Sequence, residues 1–550
     1  MDPIGRLFRS LRRSSADIGS SARHQTSLVS GSAGALPPTV VEGPREGWRE
    51  RVAQEDSDLT EMTAISGGRT ARSLFWIPFA TRLRTTLPHD RTEAIIACLI
   101  VLVGATFFHP GQWNQNARLA AIAAFVEPGT PYTGTFKIDG LKDGPRFLTS
   151  DWAESRGAFY SNKAPGVTML GVVPYGLLYY GERLAGFDPT TLVLTQANAF
   201  LINLWISVFW NVVAALALLR RLPNCRLHAR AGAIVVTAVY AFATLVLPFG
   251  CSAWGHSTAA AFITLGMLAL LDAERPRTGR AGLWFGFAVL TEYLAGLSLA
   301  VAALFALTEP ADSWSERLRR VGRFALGCAP PIVVLLLYQK VCFGSYLTPA
   351  PSLSNSGFLE PDKVAGLFGV PNRDAIWLMF LSLNRGILAQ MPVLALSAAG
   401  AWMWLRSGRR KSVAFALVNI ACYALSVSSM RGWEGGGTTS MRYMIVALPF
   451  FCMLLPEVRG VAHRTVFLLL FAVSAVNMFV LAATTTMSGE TSPFYSYMYS
   501  WFWYGDPAFN PLLGRLGIHG VVPALALGGA IACGVGWVLR STLRSQPSSN

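Results

Sequence analysis

The side chains best suited to chemistry are concentrated in residues 109–191, a stretch rich in charge and in aromatic rings. Asp139, Asp151 and Lys163 stand in its loop segments, and Arg118 stands on a predicted helix, NQNARLAAIAAFVEPG. A carboxylate can accept a proton from a hydroxyl group, and ammonium and guanidinium groups can hold a phosphate. The stretch therefore predicts chemistry on an anionic, phosphate-bearing substrate.

Four further candidates stand at the ends or in the middle of apolar runs. Arg385 in LSLNRGIL and Arg442 in TTSMRYMIV could hold phosphate or could be anchors that extend to the membrane interface. Glu292 lies in the middle of an apolar run, where an ionisable group is costly and usually functional, although it could also be a structural partner at a turn. His256 could contact phosphate or a metal, but one histidine does not make a metal site, and a structural role is equally open.

Composition places these groups in a membrane protein. Of 550 residues, 52% are hydrophobic and 14% are charged, whereas soluble domains carry about 25% charged residues. The net charge of +15 comes from arginines grouped in short loops between apolar runs, which is typical of membrane topology and argues against a nucleic acid partner. The eight cysteines stand singly without metal-binding spacing, so they predict buried thiols.

Residues 1–90 differ from the rest of the chain and form a separate region. They are rich in Ser, Arg, Gly and Thr with few long apolar runs, which predicts a disordered, basic cytosolic tail. The segment 73–87, SLFWIPFATRLRTTL, is predicted to form a basic amphipathic helix on the membrane surface. No signal-peptide pattern precedes it, so a cytosolic N-terminus is expected. Residues 91–545 are predicted to be the transmembrane domain.

Apolar runs of about 20 residues indicate membrane spans in this domain. They are 93–108, 192–219, 231–249, 257–273, 281–307, 323–342, 387–405, 412–430, 442–456, 464–486 and 519–540. Basic loops are expected in the cytosol. They contain Arg220, Arg221, Arg226 and Arg230, then Arg275, Arg277 and Arg280, then Arg317, Arg319, Arg320 and Arg323, then Arg406, Arg409, Arg410 and Lys411, then Arg459 and Arg464, and finally Arg540 and Arg544.

This rule changes the interpretation of two runs. Because 192–219 ends beside cytosolic arginines, it must begin outside, so the apolar segment 166–182 is predicted to be an interfacial or re-entrant helix of the outer loop. The run 281–307 has cytosolic arginines at both ends and must double back as a short hairpin. Residues 291–293 would form its tip.

The predicted fold is therefore all-α, with about twelve membrane helices, both termini cytosolic, and a long first extracytoplasmic loop that carries interfacial helices. The segments predicted on the outer face are 109–191, 250–256, 343–386, 431–441 and 487–518.

Taken in order, these pieces resemble polytopic membrane glycosyltransferases of the GT-C superfamily, such as protein O-mannosyltransferases and the lipid A aminoarabinose transferase. The resemblance covers most of residues 93–510 and rests on short motifs. They are NQNARLAAIAAFVEPG, FYSNKAPGVTMLGVVPYGL, WGHSTAAAFITLGMLAL, VLTEYLAGLSLA, LNRGILAQMPVLAL and GWEGGGTTSMRYMIVALPF.

The resemblance implies a multi-pass protein of the inner (plasma) membrane with its active site on the periplasmic or exterior face. Such enzymes transfer a sugar from a polyprenyl-phosphate donor to an acceptor hydroxyl group, on a lipid, a glycan or a protein, in one inverting step. It further implies that Lys163 touches the donor phosphate and that Arg385 and Arg442 do so from the opposite side. Arg118, His256 and Glu292 complete the expected substrate-binding set.

One departure concerns the catalytic base. Relatives carry an acidic residue, often Asp-Glu, two or three residues before the arginine of the first-loop helix. Here Gln115 and Asn116 precede Arg118, and an amide cannot act as a base. Asp151 is therefore the expected base, with Asp139 in reserve. No cofactor is assigned, and a divalent metal is one alternative. The resemblance argues against a metal role for His256, because relatives place a second outer-loop acid at this position.

Two other functions fit parts of the pattern. A lipid-linked sugar flippase or other transporter would share a polar cavity and cations, but the chain shows no convincing internal repeat of the kind common in transporters. A non-catalytic relative of the transferases would explain the missing Asp-Glu.

Overall fold

The structure is a computed structural model that describes residues 88, 90–129, 133–273, 276–309, 313–487 and 494–544. The tail predicted at residues 1–90 and its surface helix at 73–87 lie almost entirely outside these residues, as does Arg275. The described part is mostly helical, as the sequence predicts.

The first half of the described chain forms ten α-helices. They are α1 (Arg91–Thr106), α2 (Trp113–Val126), α3 (Gly166–Leu184), α4 (Leu192–Asn203), α5 (Phe209–Arg221), α6 (Arg230–Phe242), α7 (Val246–Gly250), α8 (Gly255–Leu271), α9 (Thr278–Thr291) and α10 (Gly296–Thr308). A π turn, Leu204–Val208, makes α4 and α5 one continuous rod.

The second half adds ten more within the described residues. They are α11 (Trp314–Phe343), α12 (Arg373–Leu381), α13 (Ile387–Gln390), α14 (Leu396–Arg406), α15 (Arg410–Ser428), α16 (Leu448–Met453), α17 (Val461–Ala483), α18 (Phe494–Tyr504), α19 (Pro511–Arg515) and α20 (Val521–Arg544).

Five helices of the described chain are long and apolar enough to cross a membrane. They are Leu192–Cys225, Trp314–Phe343, Arg410–Ser428, Val461–Ala483 and Val521–Arg544. Other apolar helices, such as Arg230–Phe242 and Gly255–Leu271, are shorter. The count of about twelve membrane helices therefore stays a prediction.

Three of the predicted spans are not single α-helices. The run 231–249 is divided into α6 and α7 by a bend at residues 243–245. The run 387–405 is divided into α13, a 3₁₀ turn (Pro392–Ala395) and α14, because Pro392 has no backbone N–H and cannot continue a helix. The run 442–456 consists of a 3₁₀ turn (Arg442–Ala447) followed by the short helix α16. Each of the three was expected to be one membrane span, and in the structure none of them is a single regular α-helix.

The segments predicted to share the outer face contact one another. Backbone hydrogen bonds join the first loop to the segments 250–256 and 343–386, join the residue just before this loop to 487–518, and join 343–386 to 431–441. They run from His109 to Cys251, from Asn355 to Trp152, from Phe108 to Ala508 and from Arg431 to Leu367.

The segments predicted to be cytosolic likewise contact one another. Their contacts are Arg220 with Glu93 at 2.7 Å, Arg409 with the Leu227 carbonyl at 2.8 Å, Ala273 with the Asn224 carbonyl at 3.1 Å and Lys411 with Glu309 at 3.9 Å. The arginine pattern thus sorts these loops into two groups that the fold keeps together.

The run 281–307 is broken at Glu292, whose backbone is extended with φ −150° and ψ 117°. Helices α9 and α11 run parallel in close contact, with Gly282 against the Phe324 carbonyl and Gly286 against Cys328. Glycines at these positions allow the two backbones to approach. Because α9 and α11 point the same way, α10 between them must return, so the run is a hairpin with Glu292 at its turn.

The first loop, residues 109–191, contains a small β-hairpin, which the all-α prediction missed. Strands β1 (Trp152–Ser155) and β2 (Ala158–Ser161) pair antiparallel, with Trp152 opposite Ser161. Arg156 and Gly157 form the two-residue turn with φ values of 54° and 71°, the left-handed pair that matches the twist of a tight hairpin.

Candidate active site

The β-hairpin places Asp151 beside Lys163, although twelve residues separate them in the chain. Both residues flank the open end of the hairpin, where the Asn162 N–H donates to the Asp151 carbonyl at 3.2 Å. Lys163 Nζ lies 3.1 Å from Asp151 Oδ2, and the two side chains are 18% and 13% exposed. A base candidate and a phosphate-binding candidate therefore form an ion pair that solvent or a ligand can reach.

The turn of the α9–α10 hairpin places Glu292 beside two other predicted site residues. Its Oε2 lies 3.1 Å from His256 Nδ1 and 3.8 Å from an Arg118 nitrogen. His256 and Glu292 are thus in close contact without a hydrogen bond, since both ring nitrogens are buried without a hydrogen-bond partner. Glu292 is thus a partner of buried polar groups at the turn, as its structural alternative predicted, and its functional role stays a prediction.

Arg118 is almost fully buried on α2, with 1% of its side chain exposed. One turn earlier, Asn114 accepts a hydrogen bond from it at 2.9 Å. Burial lowers the pKa of the guanidinium, and the Glu292 carboxylate opposes that effect. The neighbouring amides are structural: Gln115 accepts from the Ala253 N–H at 2.9 Å, and Asn116 donates to the Leu148 carbonyl at 2.9 Å.

Arg442 lies between two aromatic rings. Its guanidinium carbon is 5.0 Å from the Trp254 ring centre and 4.8 Å from the Tyr443 ring centre, and it donates to the Tyr443 hydroxyl at 2.9 Å. The Tyr443 ring also packs edge-on against His256, with centroids 5.8 Å apart. These contacts place Arg442 in the same group as His256, which argues against the alternative of an isolated interfacial anchor.

Two glycines allow these elements to approach Thr291, the last residue of α9. A Cβ atom on Gly166 would lie 2.7 Å from Thr291 Oγ1, and one on Gly255 would lie 2.7 Å from the Thr291 carbonyl and 2.8 Å from the Arg118 guanidinium. The glycines of the SNKAPG and WGH motifs therefore bring Lys163 and His256 toward the turn at Glu292.

We call these six residues the charge cluster: Asp151, Lys163, Arg118, Glu292, His256 and Arg442. Glu292 interacts electrostatically with all three cations, and Asp151 interacts with both arginines. With three cations and two carboxylates, the cluster carries one excess positive charge and suits a phosphate. Within the described residues, no group of three or more His, Cys, Asp or Glu side chains could hold a metal ion.

Two predicted site residues lie outside the charge cluster. Asp139 accepts a hydrogen bond from the Phe159 N–H at 3.2 Å and so fixes β2. Arg385 is 7% exposed and donates to the carbonyls of Glu434 and Gly436 at 2.9 and 2.7 Å. These carbonyls belong to the glycine-rich loop that precedes Arg442, so Arg385 supports the cluster from behind that loop.

A buried network fixes the remainder of the first loop. Arg146 pairs with Glu127 at 2.6 Å, and the Tyr175 hydroxyl donates to the same carboxylate at 2.6 Å. Burial and Glu127 raise the pKa of Tyr175, so its hydroxyl keeps its proton and remains a donor. The network connects α2, the loop and α3.

Sequence reasoning missed the aromatic side chains of the site. Trp254 and Tyr443 were not singled out, although each stands next to or near a predicted site residue, in WGH and in MRY. An aromatic residue beside a cation in a short motif was the available signal for a cation–π contact.

The structure is similar to solved structures of membrane glycosyltransferases of the GT-C superfamily. ArnT from Cupriavidus metallidurans bound to undecaprenyl phosphate matches with 16% identity and a TM-score of 0.43, over 82% of this chain and 76% of that one. The apo form of ArnT matches with 15% identity and a TM-score of 0.42 over the same shares.

The archaeal oligosaccharyltransferase AglB from Archaeoglobus fulgidus, in complex with an inhibitory peptide and a dolichol-phosphate, matches with 13% identity and a TM-score of 0.39. This match covers 75% of this chain and 57% of AglB. No protein-family model and no curated protein matches the chain. At TM-scores below 0.5, the function has to be argued from the charge cluster itself.

Proposed function

We propose that the protein transfers a sugar from a polyprenyl-phosphate donor to an acceptor hydroxyl group at the outer face of the membrane. The observation that carries this proposal is the pairing of Lys163 with Asp151 at 3.1 Å inside a cluster with net positive charge. A phosphate needs cations, and transfer to a hydroxyl group needs a nearby carboxylate to take its proton. The charge cluster offers both within one group of contacts.

In this proposal, Lys163 and Arg442 bind the donor phosphate, and Arg118 adds positive charge from behind. Lys163 and Arg442 are both partly exposed, whereas Arg118 is buried. Glu292 and His256 hold Arg118 and the aromatic wall in place. Arg385, which the sequence suggested as a phosphate ligand, acts through the loop before Arg442.

Asp151 is the proposed general base. It takes the proton of the acceptor hydroxyl group while that oxygen forms a bond to the anomeric carbon of the sugar. The bond between this carbon and the phosphate oxygen breaks, and its electron pair leaves with the lipid phosphate. One displacement inverts the anomeric carbon. The cations stabilise the charge that develops on the leaving phosphate, which accelerates the step.

The proposed location is the inner (plasma) membrane, with about twelve membrane helices, both termini in the cytosol and the charge cluster on the periplasmic or exterior side. The contacts within the two groups of loops support this arrangement. Five of the six cluster residues belong to, or border, the group predicted outside, and the sixth, Glu292, contacts Arg118 and His256 of that group. The donor would enter from the outer leaflet, and the acceptor would be a lipid, a glycan or a protein.

A non-catalytic relative is the second candidate, because Gln115 and Asn116 replace the acids of the first-loop helix and hold backbone groups instead. Such a protein would bind the lipid carrier without turning over.

The experiment that tests the proposal incubates the purified protein, in lipid nanodiscs, with polyprenyl-phosphate sugars and a mixture of candidate acceptors. Mass spectrometry then measures the polyprenyl phosphate that is released. Release by the wild type, lost in Asp151→Asn, supports transfer. Binding of the donor without release identifies a non-catalytic relative. Movement of intact donor across liposomes without release identifies a flippase.

A further inference from the structure

A second basic cavity lies at the ends of the helices in the group of loops predicted to be cytosolic. Its volume is about 550 Å³. The loop after α5 lines one side, the C-terminal ends of α8 and α10 line two others, and the turn between α14 and α15 closes it. None of its lining residues belongs to the charge cluster.

The lining is rich in cations. Arg226, Arg409, Arg410 and Lys411 face two acids, Asp272 and Glu309, so the formal balance is +2. Lys411 is 3.9 Å from Glu309, and Arg409 is held by the Leu227 carbonyl and stacks on Trp404 at 4.6 Å. Arg226 and Arg410 are exposed, and neither forms an ion pair within the described residues. These two side chains are available to a ligand.

The backbone adds to this positive potential. Helix α15 begins at Arg410 behind an N-cap residue, Arg409, whose side chain makes no capping hydrogen bond, and its first turn contains no acid. The N-terminus of a helix is the positive end of its dipole, where cations are unfavourable and an anion is favoured. Three consecutive cations at this end repel the helix dipole and one another, and a bound anion would offset this unfavourable electrostatic energy.

The walls of the cavity are not all polar. Leu271 and Phe305, near the ends of apolar helices α8 and α10, also line it. A cavity with a basic floor and apolar side walls at the end of membrane helices matches a lipid headgroup with the first carbons of its chains. Basic pockets between helices at the cytosolic side bind anionic headgroups in this way.

We propose that this cavity binds the phosphodiester headgroup of an anionic phospholipid from the cytosolic leaflet. The ligand shares phosphate chemistry with the donor at the charge cluster, but the site is on the opposite group of loops and does not depend on glycosyl transfer. Its expected role is to stabilise the packing of α5, α8, α10 and α15 at their cytosolic ends.

The test uses the full-length protein in detergent and native mass spectrometry, with phosphatidylglycerol as the probe, phosphatidylcholine as the zwitterionic control and inorganic phosphate as the soluble anion. Two single variants on different elements reduce the charge: Arg410→Gln, and Arg226→Asn, which suits the left-handed backbone of that residue (φ 56°). Arg406→Gln is the matched control, because it is a basic residue of the same turn that does not line the cavity.

The expected result is one tightly held phosphatidylglycerol per protein, with affinity reduced about tenfold in Arg410→Gln and Arg226→Asn and unchanged in Arg406→Gln. Thermal stability should rise with phosphatidylglycerol in the wild type and rise less in both variants. If one of the two variants does not fold, the phosphatidylglycerol affinity of the other variant still tests the proposal. The proposal would be overturned if phosphatidylcholine bound as tightly as phosphatidylglycerol, or if Arg406→Gln lost as much affinity as the other two variants. It would also be overturned if millimolar phosphate raised the thermal stability and phosphatidylglycerol did not.

Discussion

Lys163 and Asp151 form an ion pair, with 3.1 Å between Nζ and Oδ2. A donor phosphate must therefore compete with Asp151 for the lysine ammonium. Once the phosphate takes the lysine, the carboxylate loses its charge partner and becomes free to accept a proton. This pairing would keep the base engaged until the donor is bound, so we expect the donor to bind before the acceptor reacts.

Asp151→Asn should reduce transfer by about 10²–10⁴-fold, because an amide cannot take the acceptor proton. Donor binding should be retained or tightened, since the carboxylate no longer competes for Lys163. Release of polyprenyl phosphate measures the first effect, and a binding titration with the polyprenyl-phosphate sugar measures the second.

Asp139→Asn is the matched control for that variant. Its side-chain oxygen would still accept from the Phe159 N–H, so the hairpin should be preserved and activity should stay near that of the wild type. Loss of turnover in Asp139→Asn together with normal turnover in Asp151→Asn would transfer the role of base to Asp139.

Lys163→Gln should weaken binding of polyprenyl phosphate by about 10–100-fold, the equivalent of about 1.5–3 kcal/mol for a hydrogen bond to a charged group. The affinity loss should shrink at high salt, because the lysine is partly exposed and its charge is screened. Lys340 is an exposed lysine at the end of α11, and the control variant Lys340→Gln should bind polyprenyl phosphate as tightly as the wild type does. Equal losses in the two variants would mean that the effect is not specific to the charge cluster.

The arginine pattern in the sequence predicted more of the fold than the apolar runs did. Arginines on both sides of 281–307 required the chain to turn, and the turn is at Glu292. The same pattern sorted the loops into two groups that meet in the structure. Charge placement is a property of each loop by itself, so it can be interpreted without knowing the three-dimensional contacts.

The features that the sequence did not predict depend on contacts between residues that are distant in the chain. The Asp151–Lys163 pair is made by a hairpin whose Arg-Gly turn is a weaker signal than Asn-Gly or Asp-Gly. The rings of Trp254 and Tyr443 meet around Arg442 although nearly 190 positions separate them. The sequence alone also did not show that Arg385 donates to the backbone carbonyls of Glu434 and Gly436.

Gly166→Ala should weaken donor binding more than it lowers stability. The new Cβ would lie 2.7 Å from Thr291 Oγ1 and 2.8 Å from the Leu290 backbone, so the loop that carries Lys163 must move away from the turn at Glu292. Gly181→Ala, on the same helix α3, has open space around its Cβ and should be neutral or stabilising by about 0.5–1 kcal/mol. A thermal melt and a donor titration on both variants separate the effects, and normal donor affinity in Gly166→Ala would contradict the role assigned to this contact.

Arg118 and Glu292 should be energetically coupled. Glu292→Gln removes the nearest carboxylate from the buried Arg118 guanidinium, which keeps its hydrogen bond to Asn114, so the free energy of unfolding should fall by about 3 kcal/mol. The double variant with Arg118→Gln should recover part of that loss, with an interaction energy of about 0.5–3 kcal/mol in a double-mutant cycle of thermal or denaturant unfolding. Strict additivity would show that the 3.8 Å contact carries no net interaction.

Arg385→Lys distinguishes a phosphate ligand from a residue that positions the loop. A lysine keeps the charge, so a direct ligand would retain most of its affinity for the donor phosphate. A lysine lacks the planar guanidinium that reaches the carbonyls of Glu434 and Gly436. If Arg385 only positions the loop, donor affinity should therefore fall about as much in Arg385→Lys as in Arg385→Gln. We expect the second result, with donor affinity reduced about tenfold in both variants and protease cleavage within residues 432–438 increased.

Arg373→Lys, at the exposed start of α12, is the control, and it should change neither affinity nor cleavage. If Arg385→Lys binds donor normally while Arg385→Gln does not, charge alone matters and Arg385 belongs with the phosphate ligands.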